Sequence, residues 1–377
     1  MRSPLYKINS ELFIEVHIAD IHFGVIDPKE QYKILEEQFI NKIRNINFNI
    51  LSINGDLFEH KFMSNSETIM YATMFIRNLV ELCKIKKATL LLIHGTYSHD
   101  AGQLKLFYHY LNDKTIDIRI IEEVKFEYIK GKRILCIPEL YGMSKDYYEK
   151  FLFYSGLYDS VYMHGTLKGA IYGKNEETLD SIREPVFCLD HFIKCSGPII
   201  SGHNHVSGCY NSYFYYCGSP YRWEFGEEGE KGFIILLHNT KTRLHYVHFE
   251  HIKSFRYDTI NLDHMLTQDP NNIINYIKTL QDNGIDNIRV QFTINKDEII
   301  DIVKSYYRTN PKVKIDSDSR AIKIMKESEE INEKYKQYEY VLDTNIKPEN
   351  ILTRYINQNK GYVYITTEDL IKLLKEM

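Results

Sequence analysis

Five short stretches of the 377-residue sequence end apolar runs with residues that bind metal ions or move protons. "HIADIHFG" sets Asp20 and His22 two apart, so both side chains can face the same way where a strand ends. "INGDLFEH" sets Asp56 after a glycine. "LLIHGTYSHDAGQL" stops an apolar run at Gly95 and continues to Ser98, His99 and Asp100. "VYMHGTL" ends its run on His164, and "IISGHNHV" sets His203 and His205 two apart after a glycine. Singly, each has an ordinary explanation. A D-x-H is common, and a lone histidine is more often a satisfied core or surface group. The H-x-H says more, because two imidazoles on one face repel when protonated and suit a cation when neutral. Together the stretches supply enough carboxylates and imidazoles for two overlapping metal sites.

These residue types point to phosphoester hydrolysis. Two divalent cations about 3.5–4 Å apart can clamp a phosphate and activate a water. Asp56 is the natural bridge, since each oxygen of a carboxylate can serve one ion. Imidazole with carboxylate favours Mn, Fe, Zn or Co over Ca. His99 need not be a ligand. Beside the metals it could donate a proton to the leaving oxygen or stabilise charge developing on the phosphate. Asp100 would then hold and polarise it. The plainer alternative is a buried His–Asp pair at a strand exit.

Such a constellation needs strands that end together. Residues 11–18, 48–53 and 88–94 read as strands, and 29–46 and 66–84 carry helical apolar spacing. Strands alternating with helices predict an α/β core. From residue 117 the pattern turns hairpin-like around a tight Lys-Gly-Lys-Arg turn, and residues 232–250 repeat it with a turn at Asn239–Thr242. The expectation is a mixed core, rich in antiparallel sheet, over residues 1–250. Residues 251–377 predict a smaller α+β domain. Its helices are expected at 270–283, 296–307 and 328–340, its strands at 287–294, 311–316 and 320–325, and a capped helix at the end, from Thr366.

Composition narrows the class. Hydrophobic residues make up 44% and charged residues 26%, ordinary for a globular chain, and the net charge of −4 announces no nucleic-acid or membrane partner by itself. A local basic groove or a bound metal could still supply positive charge. Cys83, Cys136, Cys188, Cys195, Cys209 and Cys217 form no CxxC pair and read as thiols of a reducing compartment. No apolar run approaches the roughly 20 residues of a membrane span, and no signal-peptide core opens the sequence. A cytoplasmic, membrane-free protein is expected. The abundance of Tyr, Ile, Asn and Lys reads as AT-rich codon usage.

In the order D-x-H, G-D, G-N-H-D, H and G-H-x-H, the sequence resembles the calcineurin-like metallophosphoesterases over roughly residues 11–235. "YYCGSPYRWEFGEEGEKGF", residues 215–233, narrows the resemblance to the SbcD-type DNA double-strand-break nucleases. Gly218, Ser219, Pro220, Arg222, Phe225, Gly226 and Glu227 match their G-S-P-x-R-x-x-F-G-E segment, and "GDLFEH" resembles their G-D-L-F opening. The resemblance implies a four-layer α/β/β/α sandwich with a C-terminal capping domain that directs DNA to the metals. It implies Mn-dependent 3′-to-5′ exonuclease and endonuclease activity in recombination or repair, with an SbcC-type coiled-coil ATPase as partner. By position, Asp20, His22, Asp56 and His205 would hold the first metal. Asp56, His164, His203 and the third-motif residue would hold the second, and His99 would be the catalytic histidine.

There are departures. G-N-H-D is here G-T-Y-S-H-D, with two residues inserted and Ser98 where asparagine is expected as a ligand. Glu59 stands where some members have histidine and is given no catalytic role. Tyr221, Arg222 and Trp223 could reach DNA by stacking and phosphate contact, though core packing serves Trp223 equally well. Residues 323–361, charged and helical, could bind the partner or be a solvated face. A homodimer is one open outcome. The runner-up is a metallophosphoesterase of a small phosphodiester or a phosphoprotein, which the G-S-P-x-R segment and the extra domain disfavour. A non-catalytic subunit that kept the fold is the third reading, and only Ser98 speaks for it.

Overall fold

The apolar alternation at the start becomes strand β1 (Leu12–Ile18) of the computed structural model. The structure describes residues 12–172, 176–177, 185–227, 229–239, 241–242, 244–262, 269–292, 297–308, 310 and 312–317. Helix α1 (Pro28–Leu35) begins where the Asp27 carboxylate accepts from the backbone of Lys29 and Glu30, with a proline in the first turn. It runs on through a π-helical turn (Glu36–Ile40) into α2 (Asn41–Ile43). Next come β2 (Ile50–Asn54), α3 (Glu67–Lys86), β3 (Thr89–Ile93), the short α4 (Tyr97–Asp100) and β4 (Asp117–Ile121). Then follow β5 (Lys125–Ile129), β6 (Lys132–Ile137), α5 (Lys145–Leu152) and β7 (Ser160–His164). Two short pairings join β8 (Thr166–Leu167) to β11 (Val186–Phe187) and β9 (Ile171–Tyr172) to β10 (Glu176–Glu177). Strands β12 (Ile199–Gly202), β13 (Gly208–Tyr210), β14 (Phe214–Tyr216), β15 (Gly232–Asn239) and β16 (His245–His251) complete the larger unit's strands.

The result is a mixed α/β fold with two six-stranded sheets, ordered β16-β15-β1-β2-β3-β4 and β13-β14-β12-β7-β6-β5. In the first, β1 to β4 run parallel and β15 returns antiparallel beside β1. In the second, β6, β7, β12 and β14 run parallel. Both expected hairpins form, β5–β6 at the Lys-Gly-Lys-Arg turn and β15–β16 over residues 232–251, but residues 117–121 are not part of the first. β4 pairs parallel to β3 in the first sheet, whereas β5 and β6, joined around Lys130–Gly131, belong to the second. Apolar residues are alike in both strands, so periodicity alone could not tell which partner β4 takes.

Alternate residues of each strand face opposite sides, and three apolar cores follow that alternation. Val16, Leu51, Ile53, Leu90 and Leu92 pack with Leu35, Phe39, Phe75 and Leu79 of the first helices. Ile50, Leu91 and Ile93 share a core with Ile134, Cys136, Tyr162 and Ile200 of the second sheet. Leu135, Val161, Met163 and Ile199 pack with Tyr148 and Leu152 of α5.

A buried ion pair accompanies that shared core. The Glu15 carboxylate accepts from Lys132 Nζ and, at 2.5 Å, from the Tyr162 hydroxyl, with His17 Nε2 at 3.4 Å. Burial alone would raise Glu15, but Lys132 and His17 outweigh it and hold the carboxyl at about 2, against an ordinary 4.5. A group depressed on folding stabilises the fold above its unfolded value and loses that contribution as pH falls from there through the folded value. The contribution, about 3 kcal/mol, should therefore disappear between about pH 4.5 and pH 2. Lys132→Met would strand the carboxylate and is expected to cost about 3–5 kcal/mol. Urea unfolding at pH 7 measures this, and an unchanged midpoint would show the pair to be idle.

The chain divides into two compact units, Met1–Asp258 with Gly284–Asn287, and Thr259–Asn283 with Ile288–Met377. The first unit runs past the expected boundary at 250. Ile252 lies in its core, and Lys253 exchanges two hydrogen bonds with the Gln38 side chain. From Tyr257 onward, β17 (Tyr257–Asn261), β18 (Asn287–Phe292) and β19 (Val313–Ser317) form a three-stranded sheet, interleaved in the chain with helices α6 (Pro270–Asp282) and α7 (Asp297–Tyr307). The readings at 320–325, 328–340 and 366 onward, and the segment 323–361, lie outside the described residues. Among the described residues no helix is long and apolar enough to cross a membrane.

Candidate metal centre

Parallel strands leave their carboxyl ends on one edge, where open α/β sheets commonly place ligands. Asp20 and His22 follow β1, Asp56 follows β2, Glu139 follows β6, His164 ends β7, and His203 and His205 follow β12. The backbone is bent to bring them in. Asp20, His22, Asp56 and His203 have φ of 51°, 49°, 51° and 88°, a left-handed region costly for residues with a Cβ. Two glycines make the approach feasible. A Cβ at Gly55 would lie 2.1 Å from His164 Nδ1, and one at Gly95 would lie 2.1 Å from Asp56 Oδ1.

The side chains converge. His22 Nε2 lies 3.2 Å from His205 Nε2 and 3.6 Å from Asp56 Oδ2. The same Asp56 oxygen is 3.3 Å from His164 Nε2. Asp20 Oδ1 accepts from the His203 backbone at 2.9 Å and sits 4.0 Å from His164 Nδ1. Among the described residues four groups of His, Asp and Glu could hold a metal ion: Asp20–His22–His205, Asp20–Asp56–His164, Glu139–His164–His203 and His22–Glu59–His99. The donors suit a cation, and Asp20 Oδ2 is buried with no hydrogen-bond partner.

Several of these groups have perturbed protonation. Burial lowers His164, but Asp56, Asp20 and Glu139 outweigh it and push the imidazole well above its ordinary value. His22 is also raised, its burial overcome by Glu59, Asp56 and Asp20. His205 goes the other way: burial, then His22 and Lys231, hold it well below. Burial would raise Asp56, but His164 and His22 hold it well below the carboxylate range. Asp20 is raised, by burial first and by Asp56 against the opposing pull of His164.

Asp20, His22, Asp56, His164, His203 and His205 thus meet at one edge. Other expectations are corrected. Ser98 is exposed on α4, and Thr96 is the third-motif residue that reaches the cluster. Thr96 donates its N–H to Asp56 Oδ1 at 2.6 Å and its hydroxyl to Oδ2 at 3.2 Å, 3.4 Å from His164 Nε2. The two inserted residues are taken up in one helical turn, in which the Thr96 carbonyl accepts from His99 and Asp100. Asp100 does not hold His99. Its carboxylate accepts from the backbone of Leu57, Phe58 and Gly95, tying the Asp56 loop to the Gly95 loop. His99 Nδ1 instead donates to the Glu59 carbonyl, and its ring stands edge-on to His22 with centroids 4.6 Å apart.

Tyr221 is fully buried, donating to the Ile21 carbonyl and accepting from Gln31, so it has no surface to offer DNA. Arg222 donates to the Gly229 carbonyl at 2.9 Å and from its backbone to Ser254, bracing its own loop. Lys231 explains more of this segment. It donates to Ser219, to Glu227 and to the His205 carbonyl at 2.6, 2.7 and 3.2 Å. The Trp223 ring lies 4.8 Å from His205 and 5.2 Å from His22.

Two carboxylates join the cluster beyond the expected set: Glu59, given no role from the sequence, and Glu139, not singled out there. Glu59 Oε2 stands 2.8 Å from His22 Nδ1, fixing which ring nitrogen faces the cluster. Glu139 lies beside His203 and His164. Glu59 stands just after Gly-Asp-Leu-Phe, where some members have histidine, and Glu139 closes the apolar run Ile134–Ile137 with no other ligand type beside it.

No protein-family model and no curated protein matches the sequence. A solved crystal structure matches over 63% of this chain and 99% of its own, at 10% identity and a TM-score of 0.41, too slight a likeness to argue from.

Proposed function

We propose that this protein is a two-metal phosphodiesterase that cleaves DNA, an SbcD-type nuclease acting with an SbcC-type ATPase. The observation that carries the proposal is the position of Asp56. One of its oxygens lies within 3.6 Å of His22 and 3.3 Å of His164, with Asp20, His203 and His205 around them. That is where a bridging carboxylate would stand between a first site of Asp20, His22, His205 and a second of His164 and His203. Divalent ions held there, Mn being the expected pair, would activate a water and polarise the phosphate. The chain's own groups would do the rest. His22 presents Nε2 because Glu59 occupies Nδ1. His99, tethered through Nδ1 to Glu59, has Nε2 to give a proton to the leaving oxygen as the phosphorus–oxygen bond breaks. Lys231 and Ser219 hold the His205 loop, which gives the G-S-P-x-R segment a reason to accompany this chemistry.

DNA rather than a small ester as substrate rests on that segment and on the presence of a second unit, read as a capping domain of a four-layer sandwich enzyme. An end-labelled linear duplex incubated with Mn²⁺, Mg²⁺ or chelator tests it, beside a small chromogenic phosphodiester. Mn-dependent degradation of the duplex is expected. Turnover of the small diester alone, even with an SbcC-type partner and ATP, would favour a small-substrate phosphoesterase.

A further inference from the structure

We infer that Glu139 is a ligand of the second metal, replacing the asparagine missing from the third motif. The inference rests on the two-metal reading above. Glu139 follows β6, which lies beside the strand that ends in His164. Its side chain is only 1% exposed. Oε2 lies 3.0 Å from His203 Nδ1 and 3.7 Å from His164 Nε2, while Oε1 is buried with no hydrogen-bond partner. Glu139, His164 and His203 offer three ligand atoms within 4.8 Å of one another.

A carboxylate buried between two imidazoles has two uses. It can pair with protonated histidines, or it can share a cation with neutral ones. The ion pair alone leaves Oε1 unanswered, and a buried polar atom without a partner is costly. A cation seated among the three residues would engage the carboxylate and let both imidazoles act as neutral ligands. The third motif supplies the need. Thr96 stands where a neutral amide would, and its hydroxyl proton is committed to Asp56. A hydroxyl so engaged is a poor replacement for an amide oxygen. Glu139 restores the missing donor and adds a negative charge. The resulting site has two carboxylates, Asp56 and Glu139, with His164 and His203, and suits a hard divalent ion such as Mn²⁺.

Manganese chloride titrated into chelator-stripped protein, followed by calorimetry and by EPR of free Mn²⁺, tests the assignment. The unaltered protein should bind two ions. Glu139→Gln keeps the shape and removes the charge. It should weaken the second ion by more than ~100-fold, beyond the loss usual for an outer-shell carboxylate, and leave the first unchanged. The Mn²⁺-induced rise in Tm should shrink while Tm in chelator holds, whereas a merely structural role would move Tm in chelator. Two ions bound with unaltered affinity by folded Glu139→Gln would overturn the assignment and leave the two-metal reading standing. Fewer than two ions in the unaltered protein would overturn both. If Glu139→Gln does not fold, Glu139→Asp withdraws the charge by one methylene. It should weaken the second ion at least ~10-fold, and unaltered affinity there would overturn the assignment equally.

Discussion

Asp56→Asn is expected to abolish cleavage, by at least roughly 10³-fold in kcat, and to lose the binding of one of two metal ions. The argument starts from the hydrogen bonds. Asp56 Oδ1 accepts from Thr96 N–H at 2.6 Å, a contact the amide oxygen of asparagine can keep. That choice turns the amide nitrogen toward the place of Oδ2, which faces His22 and His164. An NH₂ group has no lone pair to give a cation, so the bridge is lost while the outline of the side chain survives. His22 and His164 also lose a carboxylate that keeps them above their ordinary values. Mn²⁺ titration and single-turnover cleavage of labelled duplex measure the two effects. Two ions retained at unaltered affinity would show that Asp56 does not bridge.

The sequence made part of this site legible and hid part of it, for physical reasons. Asp20, His22, Asp56, His164, His203 and His205 could be read because each closes an apolar run that had to be a strand. Parallel strands gather such ends at one edge. Thr96 and Ser98 were confused because counting back from His99 ignores the helical turn that absorbs the insertion, whereas counting forward from Gly95 finds Thr96. Asp100 was misread because neighbours in sequence are not neighbours on a helix: residues i and i+1 diverge, and Asp100 turns to the backbone of residues 57, 58 and 95. Tyr221 looked available because tyrosine serves core and surface alike. Glu139 also closes an apolar run, but the run end alone does not mark it. It has no partner nearby in the sequence, and only the pairing of β6 with β7 brings it to His164. The same limit applied to β4, whose partner was a choice between sheets that alternation cannot make.

The His99 prediction separates proton transfer from metal binding. His22 could hold a cation with Glu59 and His99, or with Asp20 and His205. The first option would use Nδ1, which already faces Glu59 at 2.8 Å, and would set a cation apart from Asp56. The second uses Nε2, which faces His205 and Asp56 together. The second is therefore the better site, and His99 is left to act on the substrate. His99→Ala is then expected to lower kcat on duplex DNA by about 10²–10⁴-fold, with Mn²⁺ affinity and DNA binding little changed. A second comparison sharpens the assignment. An alkoxide leaving from DNA needs a proton, whereas a nitrophenolate leaving from a chromogenic diester does not. The variant should therefore lose far less on any nitrophenyl diester the protein turns over than on DNA. Equal losses on both substrates would remove the proton-donor role, and a parallel loss of Mn²⁺ binding would make His99 a ligand instead.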